Sequence, residues 1–289
     1  GKYLGAKWGK YIRAPEIFFK ILERGKDKLV PLKEIAEVRR GFTTGANEFF
    51  YLTEAEIKRR GIEREFWMHQ DEKGNWVPNY VIKSPRECKS IVVKPEDLKY
   101  RVLMIHKDKK DLKGTNVLKY IQEGESKGYH LRPTCASRER WYDLGERERP
   151  ALVWIKGIWD RHFSPMTDFL CYADQQLYET YLRDARTELI SASLNSTFTS
   201  LFAEFNARVN LGEGILWIAT YEAANMPVIQ PQVPEFAKLG SQLKSALGKL
   251  SARAITNVSE ELGANSPEEV SLDKVKPGRR EGFPNITPQ

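Results

Sequence analysis

Apolar residues recur at helical spacing in three places along the chain and at shorter, strand-like spacing between them. In residues 8–24, Ile17, Phe18, Ile21 and Leu22 make one apolar face. That spacing predicts a helix starting near Pro15, since a proline in the first turn lacks only an N–H the helix does not use. Gly25 is the expected stop. In residues 187–205, Ile190, Leu194, Phe198, Leu201 and Phe205 repeat at helical intervals opposite a Ser, Thr and Asn face. This is the clearest helix. A third opens at Pro234, where Phe236, Leu239, Leu243, Leu247 and Leu250 advance in steps of three and four, a narrow stripe like a coiled-coil seam.

Between residues 28 and 230 the period shortens. Ile35, Val38 and the run Phe49–Leu52 read as strands around Gly41-Phe-Thr-Thr-Gly45. Thr53 with Glu56 is a capping box ahead of a short helix over 53–60. Val81–Ile82, Ser90–Val93 and Tyr100–His106 are further strand candidates, and Asn116–Glu123 is a short helix. Pro150–Trp159 reads as a buried strand pair with Gly157 as bulge or turn. Phe169–Tyr172 and Gln176–Leu182 add two more strands. Strands and helices do not alternate regularly. The expected fold is therefore α+β: a mixed, mainly antiparallel β core with intervening helices, followed by an amphipathic C-terminal helix. From Gly263 the chain turns polar and rich in Pro and Gly, and a poorly packed terminus is expected.

Composition narrows the class. Hydrophobic residues make up 41% of 289, which is globular and not disordered. The net charge is +7, and residues 1–40 hold 11 Lys/Arg against 5 Asp/Glu. A localised basic excess is compatible with a polyanionic partner. Cys88, Cys135 and Cys171 stand far apart and the four histidines are scattered, so neither a disulfide framework nor a metal-ligand spacing is present. There is no apolar run long enough for a membrane span and no signal peptide. The expected setting is cytoplasmic.

Four constellations carry candidate chemistry. In Arg39-Arg-Gly-Phe-Thr-Thr-Gly-Ala-Asn47, two glycines allow a tight loop, while Arg39, Arg40, Thr43, Thr44 and Asn47 supply donors for phosphates and base edges. An ordinary polar hairpin is the competing reading. Asn210-Leu-Gly-Glu-Gly214 is a second glycine turn, in which Gly212 and Gly214 permit close approach and Glu213 can accept from cytosine. Residues 138–162 interleave cations with aromatics. There Arg138, Arg140, Lys156, Arg161 and His162 are the candidates, while Glu146–Arg149 reads as a salt-bridged, solvated face. Lys107–Lys113 is a charge run best read as solvated surface. No catalytic residue and no metal site is expected. The chain has no Pro-Pro pair, and its only Gly-x-Gly follows a helix.

Taken in order, these motifs resemble the target-recognition domain of N-6 adenine DNA methyltransferases, both type I modification subunits and fused type II restriction-modification enzymes. Leu32-Lys-Glu-Ile-Ala-Glu-Val-Arg-Arg-Gly41 is also similar to the opening of a type I specificity-subunit recognition domain. Trp8-Gly-Lys-Tyr-Ile-Arg-Ala-Pro15 resembles a segment joining a methyltransferase domain to such a module. The resemblance covers roughly residues 3–230. It departs from the family pattern at Glu213, which interrupts an expected glycine run.

The resemblance implies residues 1–27 as linker and joining helix, 28–230 as recognition domain, 231–260 as C-terminal helix and 261–289 as polar tail. It implies double-stranded DNA as partner and an upstream methyltransferase domain of the parent chain. Restriction or specificity subunits are further possible partners. No cofactor is expected in this fragment, while S-adenosylmethionine is implied for the parent. Two other classes stay open at this stage. One is a Mg-dependent nuclease built from Pro95-Glu96 and Glu125-Ser-Lys127, and the other is an interaction scaffold using the 236–250 stripe.

Overall fold

The structure is a computed structural model, and it describes residues 14–158, 161–183, 186–208 and 215–257. The joining segment 8–13, Trp159, the glycine turn 210–214 and the polar tail lie outside the described residues.

Helix α1, Glu16–Gly25, begins after Pro15 as predicted. It buries Phe18 against Phe202, with ring centroids 4.6 Å apart, and leaves Ile17 exposed. The buried face is thus turned away from the first predicted position. Two sheets follow. The first is three-stranded and antiparallel: β1 (Ala36–Arg40), β5 (Leu177–Leu182) in the centre, and β3 (Leu152–Ile155). To keep the labels in chain order, β2 is Tyr80–Ile82 and β4 is Cys171–Ala173. These two pair in parallel within a four-stranded sheet completed by Tyr100–Val102 and Tyr51–Thr53, whose pairings are antiparallel. The fold is α+β, with mainly antiparallel pairing.

The core forms two apolar clusters, and the four-stranded sheet contributes to both. Trp154, Tyr178, Ile190 and Phe202 belong to the first, and Phe49, Phe50, Ile121 and Trp141 to the second. Three residues, 174–176, lead from β4 in one sheet to β5 in the other. Phe42, just past the end of β1, bridges Asp174. The seam between the sheets therefore runs through the first glycine loop.

Several expectations change. Phe49–Phe50 lie in a helical turn, Asn47–Phe50, and the strand starts only at Tyr51, because both rings are buried and a short apolar run carries no readable period. Ile35 sits in a helical turn, Leu32–Ile35. Ser90–Val93 contributes a single bridge, Val92 to Met166, and no strand. Lys156 separates Leu152–Ile155 from Gly157–Ile158, which pairs instead with Leu216–Trp217.

The long helix over 187–205 is two helices, Thr187–Leu194 and Thr197–Asn206. Asn195 breaks it. Its amide donates to the Ser164 and Ser191 carbonyls, both at 2.8 Å, and its oxygen accepts from the Ser164 N–H. The Ser196 hydroxyl then caps the next helix by accepting from the Thr199 N–H. The polar face expected outside is partly inside, with Ser191, Ser193 and Thr199 buried. The C-terminal helix is also divided, into Pro234–Ala237 and Gly240–Ser251. It buries Leu247 and packs on Thr187–Leu194, while Leu239 and Leu250 stay exposed.

Candidate nucleic-acid interface

The first glycine loop is held from all sides by the protein itself. Gly41 leaves β1 so close to the next strand that a Cβ there would lie 2.4 Å from the Asp174 carbonyl oxygen and 2.5 Å from that of Ala173. Gly45 takes φ +78°, where a side chain is strained. The close approach that glycine allows is therefore to the protein's own backbone. Thr44 is buried, and its hydroxyl donates to the Asn47 side-chain oxygen. Asn47 and Tyr51 both donate to Asp174 Oδ2, at 3.3 and 3.1 Å. Burial raises the Asp174 carboxyl above its ordinary value, although hydrogen bonds from the Gln176 N–H, Tyr51 and Asn47 oppose the rise. Arg138 donates to the Thr43 carbonyl at 2.6 Å, to that of Thr44 at 2.9 Å and to that of Trp141 at 3.2 Å. Arg132 donates to the Gly45 carbonyl at 3.1 Å. Of the loop's predicted donors, Thr44 and Asn47 are thus engaged internally, and Arg138 positions the loop.

At the end of the three-stranded sheet a different environment forms. Arg40 ends β1, and β5 aligns Tyr178 with both Arg40 and Trp154. Lys156 lies two residues past Trp154 and is only 7% exposed. Its ammonium donates to the Gln175 carbonyl at 2.9 Å and sits 4.6 Å from the centroid of the Trp217 ring. Burial lowers the Lys156 pKa, and the nearby Arg40 charge adds to that. No carboxylate lies within ion-pair distance of either cation among the described residues. Lys156 also lies between the first glycine loop and Trp217. Gln175, which it contacts, donates its N–H to the Phe42 carbonyl of the first loop. Trp217 is bridged to Arg208, so the flanks of residues 209–214 meet beside it.

The remaining candidates are placed differently. Arg39 is exposed and paired with Glu37, Nε to Oε1 2.6 Å, with its guanidinium over the Tyr181 ring. Arg140 is held between Asp143 and Asp108 at 2.8 and 3.0 Å, so its charge is largely matched. Arg161 donates to the Thr256 carbonyl at 3.3 Å. Gly212, Glu213 and Gly214 lie outside the described residues.

His162 corrects the sequence expectation of a surface cation. It is buried against Trp154, ring centroids 4.7 Å apart, and its Nε2 bonds the Leu194 carbonyl at 3.1 Å. Burial lowers its pKa from 6.5 to about 4, so it is a neutral core residue. In the unfolded chain the imidazole takes its proton as pH falls through 6.5, but in the fold only near 4. The unfolded state binds more protons in that window, and stability falls as pH falls through it, by on the order of 3 kcal/mol in all. Urea unfolding across that range should give a flatter curve for His162→Gln than for the wild type. Identical curves would contradict the placement.

Three structural groups were missed by the sequence reading. Arg147, assigned there to a solvated face, is instead paired with the buried Glu179 at 2.5 Å. It also donates to the Arg40 carbonyl at 2.8 Å and covers the Phe42 ring. The signal was Glu179 itself, an acid in the apolar strand Leu177-Tyr-Glu-Thr-Tyr-Leu182, since a buried carboxylate requires a partner. Asp174 is the third, and nothing local marks it. Among the described residues no group of three or more His, Cys, Asp or Glu side chains is placed to hold a metal ion, and no helix is long and apolar enough to cross a membrane. Glu125, part of the nuclease alternative, is paired with Lys109 and accepts from the Trp141 indole at 2.9 Å.

The α+β architecture is shared with solved structures. It aligns with the type IIG restriction endonuclease BpuSI at TM-score 0.57 and 10% identity, over 92% of this chain and 31% of that one. The chain belongs to the family described as the C-terminal domain of type II methyltransferase M.Eco57I, whose model matches residues 5–262. The type II methyltransferase M.AccI of Acinetobacter calcoaceticus is 29% identical over 133 residues, 44% of this chain and 22% of that protein. A type IIL enzyme, MmeI in complex with DNA, is similar over 80% of this chain and 34% of its own, at 11% identity and TM-score 0.38. The chain spans about a fifth of M.AccI and under a third of BpuSI.

Proposed function

We propose that this chain is the DNA sequence-recognition module of an adenine-specific DNA methyltransferase in a restriction-modification system. It binds duplex DNA along the end of the three-stranded sheet, beside the first glycine loop. The observation that carries this reading is the pair Arg40 and Lys156, two neighbouring cations that make no ion pair among the described residues, the Asp174 charge acting on Lys156 only from beyond ion-pair distance. A buried ammonium without a counter-ion is costly, and a phosphate supplied by a ligand would offset that cost. Membership of a methyltransferase C-terminal family supports the same partner.

In this reading Arg40 and Lys156 take phosphates. Thr43 is partly exposed on the loop, while Arg39 alternates to the other face of β1 and is paired with Glu37. Arg138, Arg132 and Arg147 fix the loop so that its exposed groups meet DNA without an ordering cost. The upstream domain of the parent would bind S-adenosylmethionine and carry out methyl transfer, and this chain would position the target adenine for it.

Gel-shift titration of the chain with duplex DNA tests the reading. Affinity should fall steeply between low and physiological salt, by at least tenfold if even a few phosphates are engaged. A flat salt response, or no shift at any salt, would overturn it.

A further inference from the structure

We propose that Trp217, Lys156 and Arg40 form a site for one unstacked nucleotide, its base lying on the indole and its phosphate on the two cations. This rests on the DNA-binding reading above and goes beyond it, because the ligand is a nucleotide out of the stack and not an intact duplex surface.

The composition of the site carries the inference. Contact with duplex phosphates requires cations alone, because the faces of paired bases are hidden in the stack. Here the cations are joined to an aromatic ring. Lys156 is almost wholly buried, yet among the described residues its ammonium, with three donors, hydrogen-bonds the Gln175 carbonyl alone. The same ammonium lies 4.6 Å from the Trp217 centroid, a cation–π geometry that also holds the indole in place.

Trp217 is half-buried, so part of the ring reaches solvent. Its strand partner is Gly157, and a Cβ there would lie 4.0 Å from Trp217 Cε3. The Ile215 side chain lies beside the same position, its Cγ2 3.8 Å from where that Cβ would be. The Arg40 guanidinium is exposed next to Lys156 and makes no hydrogen bond to the described residues. An aromatic face joined to two unmatched cations is the arrangement that binds a splayed base and its phosphate.

The test uses the full chain and two short duplexes of the same sequence. One is fully paired and the other carries a single unpaired 2-aminopurine, a fluorescent adenine analogue. The bulged duplex should bind about tenfold more tightly, within the range for one base stacked on an aromatic residue. The analogue's emission should fall on binding. Trp217→Ala should bring the affinity ratio to about one and restore the emission, and Trp217→Phe should keep the preference and the quenching. Tight binding of the bulged duplex by the wild type with no quenching would overturn the proposal, a result that does not depend on any variant folding. A wild-type affinity ratio of one would overturn it too. So would a preference that survives in a Trp217→Ala protein with wild-type circular dichroism. If the wild type binds neither duplex, the DNA-binding reading itself fails, and the two failures are thereby told apart.

Discussion

Glu179→Ala should lower the unfolding free energy by about 3–5 kcal/mol, the range for removing one partner of a buried ion pair. The carboxylate has no exposed surface and three partners: Arg147 at 2.5 Å, the Tyr181 hydroxyl at 3.0 Å and the Ala173 N–H at 3.0 Å. Alanine removes this acceptor from all three, leaving Arg147 only the Arg40 carbonyl among the described residues. The guanidinium is the most costly of them, because Arg147 is itself only partly exposed. The effect reaches the candidate interface, since Arg147 also holds the Arg40 carbonyl and covers Phe42. Glu179→Gln keeps the shape and can still accept, so it should cost less than alanine. Guanidinium denaturation measures both. A loss under about 1 kcal/mol for the alanine variant, within the range of an exposed pair, would mean the pair is not buried as described.

Gly41→Ala should be nearly as damaging, by about 3 kcal/mol, at the upper end of the cost of overpacking. The added methyl would meet the Ala173 and Asp174 carbonyl oxygens and the Asp174 carbonyl carbon, all within 2.7 Å and all backbone. No side-chain rotation relieves such a contact. Either β1 or the 173–174 segment must move, and with it the Gly41 N–H bond to the Leu177 carbonyl and the Phe42 N–H bond to that of Ala173. The same alanine at Gly74, whose Cβ position has nothing within 4 Å, separates the two kinds of cost. Gly74 has φ +79°, so alanine there suffers backbone strain alone, about 1 kcal/mol. Thermal or urea unfolding of the two variants checks the ranking, and equal losses would contradict it.

What was legible in the sequence follows the range of the interactions. The helix start at Pro15 and the Thr53–Glu56 capping box were readable because their chemistry closes within four residues; in the fold Glu56 accepts from the Thr53 N–H at 2.9 Å. The first glycine loop was recognised, but its purpose was not. Gly41 was read as room for a ligand, while the atoms that demand glycine belong to residues 173 and 174. Arg138 was read as a phosphate ligand because it stands among aromatics, yet two of its three carbonyl partners are more than 90 residues away. The break at Asn195 was hidden for the same reason, since its amide is satisfied by Ser164. Lys156 was singled out as a candidate for nucleic-acid contact, but composition could not say that its ammonium would lie over the Trp217 ring. His162 shows the converse, as a histidine in a basic run that the fold turns inward.

The central claim is that Arg40 and Lys156 face phosphates while Arg138 works through the loop, and the slope of log affinity against log salt on duplex DNA tests it most directly. The wild type should show a slope of several units, with Arg40→Ala and Lys156→Gln each shallower by about 0.9, the contribution of one phosphate. Arg138→Ala should weaken binding at every salt concentration and leave the slope at the wild-type value. A slope near zero for the wild type, or slopes for Arg40→Ala and Lys156→Gln that match it, would contradict the account.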